Sequence, residues 1–116
     1  VLGMGNDAHT ASLFPHSPAL FPSADANTRL VRINSGPRVT PPDRVTMTFD
    51  LLNAARFVAI LVLGSNKRDT LARVSKAYEE NAASSDFPVE EFPILGVRPH
   101  AGDLRWYLDH DACPRE

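Results

Sequence analysis

Cysteine is almost absent from this sequence of 116 residues, in which Cys113 is the only one. A single thiol excludes an internal disulfide framework. The histidines at positions 16, 100 and 110 have no metal-ligand spacing to one another or to Cys113, so no metal site is predicted. Because disulfides are typical of oxidising compartments, a chain without them is expected to be cytoplasmic.

Long hydrophobic runs and an excess of positive charge are also missing. The longest dense apolar run, residues 57–63, is far shorter than the roughly 20 residues that cross a membrane. The formal net charge is −2, so no basic surface is predicted for a nucleic acid or a membrane. What remains is an ordinary globular composition, 43% hydrophobic and 22% charged, at a length that suits one domain.

The hydrophobic pattern predicts strands that alternate with helices. The all-apolar run 57–63 is typical of a central parallel strand that is buried on both faces. The alternation predicts an α/β fold with a mostly parallel sheet. The predicted strands are the end of a buried strand at 1–5, then 29–33, 44–49, 57–63 and 104–108. The predicted helices are 11–14, capped by Asp7 or Thr10, 51–55, capped by Asp50, and 66–79.

The most informative segment is residues 3–15, Gly-Met-Gly-Asn-Asp-Ala-His-Thr-Ala-Ser-Leu-Phe-Pro. Glycines after a strand allow a ligand to approach the backbone, and Asp7, two residues before His9, can orient the imidazole and fix its tautomer. In open α/β sheets, ligands bind at the carboxyl ends of strands, where this segment is predicted to lie. From the residues alone, a glycine turn beside an ordinary histidine explains the segment equally well.

Two further segments place a cation near a predicted strand end. Arg44 begins Arg-Val-Thr-Met-Thr-Phe-Asp-Leu-Leu-Asn-Ala-Ala-Arg, and Lys67 ends Leu-Val-Leu-Gly-Ser-Asn-Lys. Fixed cationic donors at such positions suit a dianionic phosphate. Without other information, a surface arginine on a strand and a solvated lysine on a helix are the more frequent explanations.

Together, the three segments resemble the glucosamine-6-phosphate isomerase/6-phosphogluconolactonase family, and the first is very similar to the signature of its lactonases. The resemblance implies a three-layer α/β/α sandwich like that of the deaminases, ribose-5-phosphate isomerases and CoA-transferases. It implies hydrolysis of 6-phospho-D-glucono-1,5-lactone in the oxidative pentose phosphate pathway, without a metal or organic cofactor. His9 and Asp7 correspond to the catalytic pair, and Gly5, Arg44 and Lys67 to residues that bind the sugar phosphate.

The sequence departs from the family pattern in two ways. Ala8 stands where the signature usually has glycine, which affects the backbone angle of the loop. The family's Ser-Gly-Gly-x-Thr-Pro loop and Asp-Glu-Arg segment do not occur. We therefore expect residues 1–116 to be the C-terminal part of a single domain whose N-terminal half is absent. Alone, the chain is expected to be inactive and to self-associate or pair with that half.

Two other functions are compatible with the same motifs. A glucosamine-6-phosphate deaminase or isomerase carries a carboxylate just before the proline of this loop, a position at which this sequence has Phe14. That difference argues against amino-sugar isomerisation. A non-catalytic sensor of sugar phosphates is the second alternative, and the retention of Asp7, His9 and Lys67 argues against it.

Overall fold

The computed structural model describes residues 1–22, 24, 29–36 and 38–114, and combines helices with strands as an α/β fold. The strands are β1 (Val31–Ser35), β2 (Asp43–Met47), β3 (Phe57–Val62) and β4 (Asp103–Leu108), and the α-helices are α1 (Phe49–Asn53) and α2 (Arg68–Asn81). Short 3-10 turns occupy Pro18–Leu20, Ser65–Lys67 and Pro93–Gly96. Within the described residues, no helix is long and apolar enough to cross a membrane.

Strand β3 has a parallel neighbour on each side. On one side it pairs with β4, in a register that sets Ile60 beside Trp106. On the other side Leu2 forms a parallel bridge to Ile60: the Leu2 N–H donates to the carbonyl of Ala59, and the Leu61 N–H donates to the carbonyl of Leu2, both at 2.8 Å. The carboxyl ends of these three segments therefore meet at one edge of the sheet, as predicted for the glycine-rich loop.

Burial of β3 is uneven, complete on one face and partial on the other, so the prediction of burial on both faces is only partly observed in this chain. Val58, Ile60 and Val62 belong to the main core cluster, which also contains the apolar face of α2. On the other face, Ala59 is 7% exposed, whereas Phe57 and Leu61 are 49% and 40% exposed. The physical reason is that the described elements contribute their core side chains to only one face of the strand.

Strands β1 and β2 pair antiparallel, which corrects the prediction of a mostly parallel sheet in this region. The connection between them covers only residues 36–42, whereas a parallel pair needs a crossover of a dozen or more residues. The polar Asn34 and Thr46 face inward, while Ile33 and Val45 lie opposite each other on the exposed face. This hairpin presents polar side chains to the glycine-rich loop.

Two helix predictions are also corrected. Residues 11–14 form no helix: Ala11, with a φ of 49°, begins a turn, and Leu13 pairs with Thr10 in an isolated bridge. The first helical turn begins only at Pro18. Helix α1 begins at Phe49 because the extended Thr48, not Asp50, is its N-cap and accepts from the Leu51 N–H. The predicted strand end at 1–5 is observed only as the isolated bridge at Leu2. The remaining elements are observed within about two residues of their predicted bounds, the usual uncertainty at element ends.

Candidate active site

His9 and Asp7 form a hydrogen-bonded pair at the carboxyl edge of the sheet. The imidazole Nδ1 lies 2.5 Å from the Asp7 carboxylate, and the same oxygen accepts from the His9 main-chain N–H at 3.1 Å. The side chains are 33% and 49% exposed, so solvent and ligands reach them. With Nδ1–H donated to Asp7, a neutral imidazole keeps the lone pair on Nε2 and can accept a proton there.

The ring of His9 is held between Gly5 and Phe14. A Cβ atom at Gly5 would lie 2.2 Å from both Cε1 and Nδ1 of His9, and 2.8 Å from a carboxylate oxygen of Asp7. On another side, the Phe14 ring packs at 5.1 Å between centroids with an interplanar angle of 58°. Phe14 is itself 3% exposed, so its position is fixed by the core. The missing side chain at residue 5 is therefore what admits the imidazole beside Asp7.

Lys67 enters the same cleft as His9. Its Nζ donates to the Met4 carbonyl at 2.7 Å, and Met4 follows the segment at Leu2 that pairs with β3. An ammonium carries three donors, so two N–H groups remain for an anion. The cleft has a volume of about 360 Å³ and is lined by Gly3, Met4, Gly5, His9, Thr10, Ala11 and Lys67.

Arg44 lies on the hairpin rather than in the lining of this cleft. Its guanidinium donates to the carbonyls of Thr40 and Pro41, at 3.2 and 2.9 Å. Two residues further along β2, Thr46 accepts from the Ser12 N–H at 3.0 Å. Arg44 and Thr46 share one face of the strand because side chains alternate, so Arg44 is on the side of the hairpin that faces the loop. Its predicted role in binding phosphate stays a prediction.

Ala8, which stands where the family signature usually has glycine, adopts the positive φ that glycine tolerates. Its φ is 68°, in the left-handed region, and its side chain is fully buried. The Ala8 carbonyl accepts from Ile94, and its N–H donates to Gly5, both at 3.0 Å. These bonds hold Ala8 in the left-handed conformation, which costs an L-residue with a side chain about 1 kcal/mol. The substitution therefore leaves the loop closed around His9.

The chain matches the sequence model of a known family over most of its length. The family is described as glucosamine-6-phosphate isomerases/6-phosphogluconolactonase, and the match covers residues 1–106. This chain belongs to that family. The resemblance drawn from the three sequence segments is confirmed.

Individual family members are similar over nearly the whole chain. The human GDH/6PGL endoplasmic bifunctional protein is 41% identical over 112 residues, which are 97% of this chain and 12% of that protein. Human 6-phosphogluconolactonase is 38% identical over 113 residues, which are 97% of this chain and 39% of that protein. The chain thus spans well under half the length of these relatives.

Solved structures also match this chain over nearly its whole length. The devB protein matches with a TM-score of 0.73 and 34% identity, over 96% of this chain and 41% of that one. The 6-phosphogluconolactonase from Trypanosoma cruzi matches with a TM-score of 0.66 and 31% identity, over 96% of this chain and 38% of that one. The described residues therefore have the fold of the corresponding part of these family structures.

Asn34 is a structural residue of the site that the sequence analysis missed. It is 3% exposed, and its Nδ2 donates to the Ser12 carbonyl at 2.7 Å and to the Ser17 hydroxyl at 2.9 Å. Its Oδ1 accepts from the Ala19 N–H at 3.2 Å. Asn34 and Thr46 together hold both main-chain groups of Ser12. In the sequence, Asn34 is a polar residue directly after the alternating pattern of 29–33, so the predicted strand did not include it.

Replacing Asn34 by alanine should lower the free energy of unfolding by about 2–4 kcal/mol. The change leaves two buried main-chain groups, the Ser12 carbonyl and the Ala19 N–H, without this partner, and each costs about 1–3 kcal/mol. Urea denaturation of the protein at its natural length measures the difference. Ser35→Ala, on the exposed face of the same strand, is the control. Equal stabilities of the two variants would contradict the role of Asn34.

No metal-binding arrangement occurs among residues 1–22, 24, 29–36 and 38–114, where no group of three or more histidine, cysteine, aspartate or glutamate side chains converges. His16 lies 3.8 Å from the Glu90 carboxylate on the surface, away from the cleft lining. His100 is exposed, and its main-chain N–H donates to Asn53. His9 is thus the histidine that lines the cleft with Lys67.

Proposed function

We propose that this chain takes part in the hydrolysis of 6-phospho-D-glucono-1,5-lactone to 6-phospho-D-gluconate. The observation that carries the proposal is the His9–Asp7 pair, in a cleft that also contains the Lys67 ammonium. The pair supplies a base, and the lysine supplies a cation in the same cleft. Several relatives over this length are named 6-phosphogluconolactonase, which supports the reaction.

His9 acts as the general base in this proposal. Its Nε2 takes a proton from a water molecule, and the water oxygen attacks the C1 carbonyl of the lactone. The tetrahedral intermediate then collapses, the bond between C1 and the ring oxygen breaks, and the imidazolium returns its proton to that oxygen. Asp7 orients the ring and stabilises the imidazolium. Residues 11–14 form no helix, so no helix start at this point supplies main-chain donors to the oxyanion.

Gly5, Lys67 and Arg44 are assigned to substrate binding. Gly5 leaves the space that the His9 imidazole occupies and lines the cleft that would take the lactone, and Lys67 holds the phosphate with the N–H groups not used by Met4. Arg44 adds a second cation from the hairpin, on the strand face that it shares with Thr46. The partner is a small molecule, and no metal or organic cofactor is assigned.

We propose that residues 1–116 form the C-terminal part of a single domain with a three-layer α/β/α sandwich. Two observations support it: the chain spans 39% of human 6-phosphogluconolactonase, and one face of β3 leaves Phe57 and Leu61 exposed. Such a face favours self-association or pairing with the rest of a domain. A cytoplasmic location rests on the cysteine content alone, since relatives include proteins named endoplasmic and chloroplastic.

Parallel assays distinguish this function from the alternatives. The protein at its natural length is supplied with the phosphorylated lactone and, separately, with glucosamine-6-phosphate. We expect 6-phosphogluconate to form well above the spontaneous rate and no ammonia to be released. The buried Phe14 against His9, in place of a carboxylate, favours this outcome. Ammonia release would indicate a deaminase, and ligand binding without turnover of either compound would indicate a sensor.

Phosphate recognition gives a separate prediction. Lys67→Ala and Arg44→Ala should each weaken binding of the phosphorylated lactone by about 10–100-fold, because a charge-assisted contact contributes about 1.5–3 kcal/mol. Binding of the phosphate-free lactone should change far less. Lys76→Ala is the matched control, since Lys76 is exposed on α2 and pairs with Glu80. Equal losses on both lactones would mean that the two cations serve structure.

A further inference from the structure

Asp109 follows β4 directly and binds the end of β3 through its carboxylate. Both carboxylate oxygens lie 3.1 Å from the Gly64 nitrogen, and Oδ1 also accepts from the Ala112 N–H at 2.8 Å. The Asp109 N–H donates to the Val62 carbonyl at 3.3 Å. Because β3 and β4 are parallel, their carboxyl ends meet at one edge of the sheet. Asp109 links the segments that follow the two strands.

Gly64 begins the short loop that carries Lys67. Its φ is 96° and its ψ is 152°, a conformation that L side chains rarely adopt. The Gly64 carbonyl accepts from the Lys67 N–H at 3.2 Å, so the glycine sets the first turn of the 3-10 segment that contains the lysine. At the other end of that side chain, Nζ reaches the Met4 carbonyl at 2.7 Å. One continuous series of contacts thus runs from Asp109 through Gly64 and Lys67 to Met4.

We infer that Asp109 is a positioning residue, which holds the Gly64–Lys67 turn so that the Lys67 ammonium stays in the cleft beside His9. The inference rests on the proposed function in one respect, that Lys67 binds the substrate phosphate. Asp109 itself is absent from the cleft lining, so it acts through Gly64 and not on the substrate.

A carboxylate suits this role better than a neutral side chain. The main-chain N–H groups of Gly64 and Ala112 lower the pKa of Asp109 from its ordinary value, so the carboxylate is ionised at neutral pH. An ionised acceptor makes hydrogen bonds to N–H groups that are about twice as strong as neutral ones. Asparagine keeps one acceptor oxygen but loses the charge and presents an amide donor in place of the second oxygen.

A double-mutant cycle on 6-phosphogluconate binding tests the inference. In the protein at its natural length, Asp109→Asn should weaken binding about tenfold, which is about 1.4 kcal/mol. In a Lys67→Ala background the same change should cost less than about twofold, because the residue through which it acts is gone. Asp111→Asn is the matched control: Asp111 is exposed on the same turn, and its contact with Arg68 is through the main-chain carbonyl. Equal losses in both backgrounds, or no loss with Lys67 present, would overturn the inference.

Chemical acetylation of the lysine amines tests the position of Lys67 independently of enzyme activity. The Lys67 amine should acetylate slowly in the wild-type protein and several-fold faster in Asp109→Asn, relative to the exposed Lys76 as an internal reference. Unchanged relative labelling would overturn the positioning role. Should the wild-type protein fail to bind 6-phosphogluconate, the proposed function would be wrong, and the labelling ratio would still decide whether Asp109 positions Lys67.

Discussion

Replacing His9 by alanine should lower the turnover of 6-phosphogluconolactone by about 10²–10⁴-fold in the protein at its natural length, the usual contribution of a positioned general base. The fold should survive, because His9 is one-third exposed on a loop and its ring is not part of the core cluster. Turnover is measured above the spontaneous hydrolysis of the lactone, and thermal unfolding is followed in the same samples.

His100→Ala is the control for that experiment. His100 is exposed, and its main-chain N–H, which the substitution keeps, makes the contact with Asn53. We expect the control to keep wild-type turnover. Near-normal turnover in a well-folded His9→Ala protein would remove the role assigned to this histidine.

Gly5→Ala should lower turnover by about 10²-fold while the protein stays folded. The added Cβ atom would lie 2.2 Å from two atoms of the His9 ring, so the imidazole must move. The ring is the mobile end of a side chain, whereas the loop is held by main-chain bonds at Gly5 and Ala8. A displacement of about 1 Å at the reacting group is enough for such a loss.

The neighbouring glycine provides a matched control. A Cβ atom at Gly3 meets no heavy atom within 4 Å, so Gly3→Ala adds the same methyl group to the same loop without moving His9. Its turnover should fall far less than that of Gly5→Ala. Similar losses in the two variants would show that backbone freedom, and not space for the imidazole, explains the glycine at position 5.

The sequence predicted the parts of the fold that local patterns determine. The apolar run 57–63 and the segment 104–108 are strands, and they pair in parallel as expected. The contact between Asp7 and His9 was predictable because two residues separate them and each has a clear chemical role. Lys67 was assigned to the site through the family resemblance, and it lies in the same cleft because parallel strands end at a common edge.

Long-range packing accounts for what the sequence did not predict. The 11–14 helix was predicted from its possible caps, yet Asn34 and Thr46 bind the main chain of Ser12 and hold it in a turn. The antiparallel β1–β2 pair follows from the connection 36–42, which is too short for the crossover that a parallel pair needs. Asp109 gave no signal, since its role arises only when the ends of β3 and β4 meet.

The most direct test of the account is a cycle of Asp7→Asn and His9→Ala, measured as turnover of 6-phosphogluconolactone. If the two residues act as one base, Asp7→Asn lowers turnover substantially when His9 is present and has almost no further effect on His9→Ala. Losses that multiply in the double variant would contradict the account, because Asp7 would then act independently of the histidine it contacts.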